Sequence, residues 1–222
     1  MILAVDTSTQ MVGLALFDGN QIVGEMCWQS QNHHTVELAP ALDQLLVRCG
    51  ILPSDLNGIA VALGPGSFTS LRIGLAFVKG LSLALHIPIV GIPTLDILAF
   101  AQPARDIPMA VVLHAGRSRF AVGWYDYKSS GWIKRNDLQV LSLDELGELV
   151  QAPIYICGEL TGEERHILTK KRKNIVLASP VQSLRRPSYL AFLGWKRLKQ
   201  NDTDEVVELA PIYLHVASSI PD

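Results

Sequence analysis

The run Leu63-Gly64-Pro65-Gly66-Ser67-Phe68-Thr69-Ser70-Leu71-Arg72-Ile73-Gly74 constrains the course of this chain more than any other stretch. Gly64 and Gly66 open backbone angles closed to residues with a Cβ, and Pro65 fixes its own φ. Ser67 is a good N-cap, so the pattern predicts a tight turn passing straight into a helix. The free N–H groups of that helix would face the loop as an anion cradle. Upstream, Met1-Ile2-Leu3-Ala4-Val5 reads as a buried strand ending in the polar turn Asp6-Thr7-Ser8-Thr9. Residues 12–17 read as a second strand, Asp18-Gly19-Asn20 as a hairpin turn and residues 21–26 as a third strand. An amphipathic helix is expected from His34 to Cys49, then a strand over 59–63 that feeds the glycine loop.

The helix after the loop is apolar nearly all round. Leu71, Leu75, Val78 and Leu85 lie along one side, Ile73, Phe77, Leu81 and Ala84 along another, with Gly74, Ala76 and Gly80 between. A surface helix carries one apolar stripe, so this one needs a second partner besides its sheet. The preceding helix offers Leu38, Leu42, Leu45 and Cys49, with Ala39 and Leu46 beside them. The pattern predicts a helical bundle across a subunit interface, with Arg72 as a polar contact at its edge. Burial of both helices within the chain's own fold is the competing expectation.

Composition agrees with a compact protein: 222 residues, 49% hydrophobic and 18% charged, are enough for one or two domains with an ample core. The N-terminus lacks a basic segment, and Asp6 interrupts its apolar run, so no signal peptide is read. Lys79, His86 and Pro88 interrupt the 73–92 stretch, so no membrane span is read. Cys27, Cys49 and Cys157, scattered and without CxxC, read as free buried thiols in a cytoplasmic setting. The net charge of −2 hides an uneven distribution: residues 165–199 hold ten Lys/Arg and no acid, and the last 23 hold five acids and no Lys/Arg. Lys170, Lys171, Arg172 and Lys173, with Arg185 and Arg186, are therefore candidates for nucleic-acid phosphate. Solvated cations at a helix C-terminus, favoured by its dipole, are the plainer reading of the first four.

Three hairpin strands, a helix, a strand and a helix resemble the first half of the actin/hexokinase architecture (ASKHA, ribonuclease H-like). The motifs are more specific. Asp6-Thr7-Ser8-Thr9, His34 and Pro40 around a Leu-rich helix, Gly64-Pro65-Gly66-Ser67-Phe68-Thr69 with Leu71-Arg72-Ile73-Gly74, and a closing Pro211-Ile212-Tyr213-Leu214 together resemble the TsaB family. That family is the accessory subunit of the bacterial machinery making threonylcarbamoyladenosine in tRNA, beside the anticodon. The resemblance implies an α/β fold of two subdomains, mixed sheets flanked by helices, with the second reduced. Residues 1–100 form the first, and 101–222 the second, its terminal helix (188–200) packing back. It also implies a non-catalytic scaffold that pairs with the catalytic subunit TsaD through the helical pair and forms a homodimer through the same surface when alone. TsaE is recruited by the composite, and tRNA is met through the complex.

The residues themselves carry little chemistry. In the architecture this chain resembles, the first hairpin's carboxylate and small polar residues approach nucleotide phosphates, usually with a glycine two residues after the aspartate. Here that place is Ser8. Asp6 and Thr7 either orient a Mg²⁺ shell or simply close the turn; with Gly64, Gly66, Ser67 and Thr69 they make a vestigial phosphate loop. The second hairpin, between strands predicted at 110–113 and 120–126, starts His114-Ala115-Gly116 where the family usually has Asp-Ala-Arg. Gly158 is followed by Glu159, so the glycine pair expected against an adenine is missing. His33 and His34 are adjacent and cannot share a helix face, so no metal site is read. No nucleophile elbow is present. No cofactor is expected, with nucleotide only at a composite interface. An actin-like ATPase or kinase using Asp6, the 64–69 loop and Gly158 is the alternative, and a direct tRNA-binding module is a second.

Overall fold

The computed structural model describes residues 1–31, 33–116, 118–171 and 173–214, with Lys171 described by its backbone alone. The chain divides into two units, one of Met1–Ile97 with Arg185–Ile212 and one of Leu98–Leu184 with Tyr213 and Leu214.

In the first unit β1 (Ile2–Asp6), β2 (Met11–Phe17) and β3 (Ile22–Gln29) form an antiparallel meander. β4 (Gly58–Ala62) and β5 (Ile89–Ile92) add parallel to β1, giving the order β3-β2-β1-β4-β5. The side-chain period of two sorts the strands into two faces. Leu3, Val5, Leu14, Leu16, Ile59 and Val61 meet helices α1 (His34–Cys49) and α2 (Phe68–Leu85). The opposite face is built from smaller residues, Ala4, Ala15, Ala60 and Ala62, and takes α6 (Pro187–Lys199). Gly194 of α6 lies directly over Ala60, where a Cβ would collide. The expected second subdomain over 101–222 thus differs from the division seen. Residues 185–212 return to the first unit, because the seam Leu190-Ala191-Gly194 matches its alanine-lined face.

The second unit repeats the topology. β6 (Met109–His114), β7 (Arg119–Lys128) and β8 (Gly131–Lys134) form the meander, with β9 (Gln139–Ser142) on β7 as well. β10 (Ile154–Gly158) and β11 (Ile175–Leu177) add parallel to β6, giving the order β8-β7-β6-β10-β11. Helices α4 (Leu143–Leu149) and α5 (Gly162–Lys171) supply Leu146 and Leu168 to its core beside Phe120, Val122 and Ile156. A short helix α3 (Thr94–Phe100) joins the two units in sequence.

α2 is long and apolar enough, by length and composition alone, to cross a membrane. Here one of its sides is built into the first unit's core through Leu71, Leu75 and Val78. Of the thiols expected to be buried, Cys157 is buried and Cys49 half-buried, but Cys27 is exposed because it sits on the edge strand β3.

Candidate functional site

The β1–β2 turn and the glycine loop come together as a packed hub. Gly64 has φ +104°, and a Cβ on Gly66 would overlap the Ser8 carbonyl. Ser67 N donates to that same carbonyl at 2.7 Å. Ser67 caps α2, its Oγ accepting from Ser70 N at 3.4 Å. Thr7 Oγ1 donates to the Ser70 carbonyl at 2.8 Å, and Gly74 leaves the room that Thr7 fills. Ser8 Oγ and Thr94 Oγ1 share a hydrogen bond of 2.7 Å, and Gly64 N donates to Thr94 Oγ1 at 2.9 Å. His34, the first residue of α1, is buried with its Nε2 3.1 Å from the Thr9 carbonyl oxygen. The turn is therefore saturated by protein groups from the starts of α1, α2 and α3. Thr69, the last of the candidate phosphate-loop residues, is exposed beside it.

Asp6 accepts from Ser8 N at 2.9 Å and is paired with Arg185. Both side chains are buried. This corrects the reading of Arg185 as a surface cation for tRNA phosphate: nothing local in its sequence announces a partner 179 residues away. Arg186 is exposed and pairs with Glu25, whose other oxygen accepts from Ser188 N at 3.0 Å at the start of α6. Burial would raise the Glu25 carboxyl, but hydrogen bonds from Arg186 and Ser188 outweigh it and hold the group below the usual carboxylate range. A depressed folded pKa gives stability present above the unfolded value, near 4.5, and lost as pH falls through the folded one. Glu25→Gln is expected to lower the free energy of urea unfolding modestly at pH 7, by under about 1 kcal/mol for so exposed a partner. The difference from wild type should shrink as pH falls below about 4.5 toward and through the lowered folded value; a difference that does not shrink there contradicts it.

The corresponding hairpin of the second unit offers no carboxylate. β1 ends in Asp6 and β6 in His114, whose Nε2 lies 3.4 Å from Glu164 Oε2 and whose ring meets Phe120. Gly158, with φ +132°, is explained by the sheet: a Cβ there would overlap the Val112 backbone. Among the described residues no group of three or more His, Cys, Asp or Glu could hold a metal ion.

The helical pair is the second candidate surface, and here the expected contact residues are redistributed. Leu38, Leu42, Leu45, Leu71, Leu75 and Val78 are buried in the chain's own core, facing the sheet, so they are not surface groups. Phe77 and Leu81 are half-buried and pack on the same core. What α2 turns outward is Phe68, Arg72, Ala76, Gly80, Leu83 and Ala84; Phe68 is 54% exposed, Leu83 63%, and a Cβ on Gly80 would meet nothing within 4 Å. Arg72 lies over the Phe68 ring, 5.1 Å from its centroid. α1 packs against α2 and exposes Val36, Ala39, Pro40 and Val47. Spacings of three and four place Val36, Pro40, Asp43 and Val47 on one stripe, and Arg72, Ala76, Gly80 and Leu83 on the other. The outward side is apolar and small, with one charge of each sign.

Of the basic cluster, Lys170 and Lys173 are exposed, Lys170 in the last turn of α5. Arg172 and the Lys171 side chain lie outside the described residues.

Two units of identical strand order, each with three antiparallel strands running into two parallel ones, define an ASKHA-fold protein. Solved structures agree: the (R)-2-hydroxyglutaryl-CoA dehydratase component A of Acidaminococcus fermentans superposes at TM-score 0.52, 10% identical over 89% of this chain and 98% of its own. YeaZ from Pseudomonas aeruginosa superposes at TM-score 0.76, 25% identical over 96% of this chain and 99% of its own. A family model described as TsaD, tRNA N6-adenosine threonylcarbamoyltransferase, matches residues 24–201. The tRNA threonylcarbamoyladenosine biosynthesis protein TsaB of Bacillus subtilis is 33% identical over 98% of this chain and 95% of its own length. That of Buchnera aphidicola (subsp. Schizaphis graminum) is 27% identical over 100% and 91%. The chain belongs to the TsaB family.

Proposed function

We propose that this chain serves tRNA threonylcarbamoyladenosine biosynthesis as a non-catalytic scaffold, docking on the catalytic subunit TsaD through the outward side of α1 and α2. The observation that carries this reading is that side itself. A helix pair whose inner faces already fill a core leaves Val36, Ala39, Val47, Ala76, Gly80 and Leu83 outward. Small residues let a second helix pair approach closely, and burying this surface supplies the association energy. The same side is self-complementary in character, so the isolated chain is expected to form a two-fold homodimer that TsaD displaces. TsaE joins only the composite, and tRNA is bound through it. A saturated Asp6 turn and a second hairpin ending in His114 favour this reading over an actin-like kinase.

Size-exclusion chromatography with light scattering, on the chain alone and mixed with TsaD of the same organism, tests the docking. Tracking threonylcarbamoyl transfer to tRNA with and without this chain tests the role. A one-to-one complex with transfer that needs both chains is expected. Transfer by TsaD alone at the same rate, or ATP turnover by this chain alone, overturns the scaffold reading.

A further inference from the structure

Asp6 and Arg185 form an ion pair whose side chains are 1% and 0% exposed. Taking both charges out of water is costly, and the attraction offsets it only where the remaining polar capacity is also filled. It is filled here. Arg185 Nε donates to Asp6 Oδ2, and Arg185 Nη2 donates to Thr9 Oγ1 at 3.1 Å and to the Met11 carbonyl at 3.2 Å. The guanidinium thus faces a carboxylate, a hydroxyl and a carbonyl, the oxygen set that a hard cation would also accept. These oxygens belong to the turn that holds the starts of three helices: His34 of α1 on the Thr9 carbonyl, Ser67 of α2 on the Ser8 carbonyl, Thr94 of α3 on Ser8 Oγ. Whatever neutralises Asp6 therefore also fixes the turn against which α1 and α2 are seated.

We propose that Arg185 is a resident cation. Its guanidinium fills a latent cation site made by Asp6, Thr9 and the Met11 carbonyl, so the turn is completed by the chain itself and takes no cation or metal–nucleotide from solution. With the side chain removed, the same three oxygens form a site for a free guanidinium ion. The assignment stands apart from the docking reading, since it concerns a turn inside one unit and holds whether or not TsaD binds.

The test is thermal unfolding of the full chain, with methylguanidinium as the probe, methylammonium as its control, and MgCl2 and MgATP as separate arms. Arg185→Ala is expected to melt roughly 10 °C below wild type, as breaking one side of a buried pair does. Millimolar methylguanidinium should raise it by about 5 °C in a saturable way, the response of a folded state that gains a ligand. Methylammonium should not, and Asp6→Asn/Arg185→Ala should respond to neither. Wild type should move with none of the four. A folded Arg185→Ala that ignores methylguanidinium, an equal rise in the double variant, or a wild type raised by MgCl2 or MgATP through Asp6 each overturns the proposal. Should Arg185→Ala not be recovered folded, Asp6→Asn and Asp6→Asn/Arg185→Met carry the question. A resident cation left without its carboxylate makes the single variant melt below the double, and the reverse order overturns it.

Discussion

Gly74→Val is expected to unfold the first unit or leave it barely stable, whereas Gly80→Ala, six residues along the same helix, should stabilise it. The two glycines look alike in sequence and differ in what they face. A Cβ at position 74 would lie deep inside van der Waals contact with Thr7 Oγ1, and 3.0 Å from Thr7 Cβ and Cγ2. Thr7 cannot yield, because its hydroxyl is tied to the Ser70 carbonyl at 2.8 Å and its neighbours in the turn are held by Ser67, Thr94 and Arg185. Overpacking there with loss of that hydrogen bond costs about 4 kcal/mol, a large share of the stability of a domain this size. At position 80 the added methyl meets nothing, and the helix gains by about 0.5–1 kcal/mol from a less flexible unfolded chain. Urea unfolding of the two variants beside wild type reads both signs. A Gly74→Val midpoint within error of wild type means the turn is softer than its hydrogen bonds imply.

The same contrast explains what was legible in the sequence. α1 stands at the predicted bounds, His34–Cys49, because it carries a local signal, a periodicity closed by Gly50. Ser67 as N-cap was legible for the same reason. The repeated strand order was not, since the two units share connectivity without sharing residues: Asp6 in one stands where His114 does in the other. A terminal helix packing back was expected, but what seats it on the first unit is a match between Gly194 and Ala60, which no one-dimensional pattern contains. Arg185 misled in the opposite sense. In the sequence it adds to a basic run, and in the fold it is a buried partner of Asp6. The helical pair shows the deepest limit. Periodicity finds that α2 has two apolar sides but not which one the sheet takes. Leu71, Leu75 and Val78 went inward, and Ala76, Gly80, Leu83 and Ala84 outward, a choice that depends on the sheet the helix meets.

That assignment makes the docking surface testable in a way the leucines do not allow. Leu75→Asp is expected to yield no folded chain, since Leu75 is 6% exposed in the core and an unpaired carboxylate there has no compensation. Any loss of TsaD binding in that variant reports unfolding and says nothing about an interface. Gly80→Arg acts on the other side: arginine is a good helix former, position 80 is open, and the fold should persist with an unchanged or slightly raised melting temperature. The new side chain stands between Ala76 and Leu83, at the position whose missing side chain would let a facing helix approach most closely. The proposed homodimer and the proposed TsaD complex should both weaken at least about 100-fold, as expected when bulk and charge enter the centre of a desolvated contact. Glu37→Arg is the control, an arginine with a larger charge change (two units against one) on α1, at a residue tied by its carboxylate to Trp28 Nε1 at 3.0 Å and off the Val36–Val47 stripe. Its effect on docking should be several-fold at most. If folded Gly80→Arg still binds TsaD with wild-type affinity, the outward side of α2 is not the docking surface, and the scaffold must engage its partner through another face.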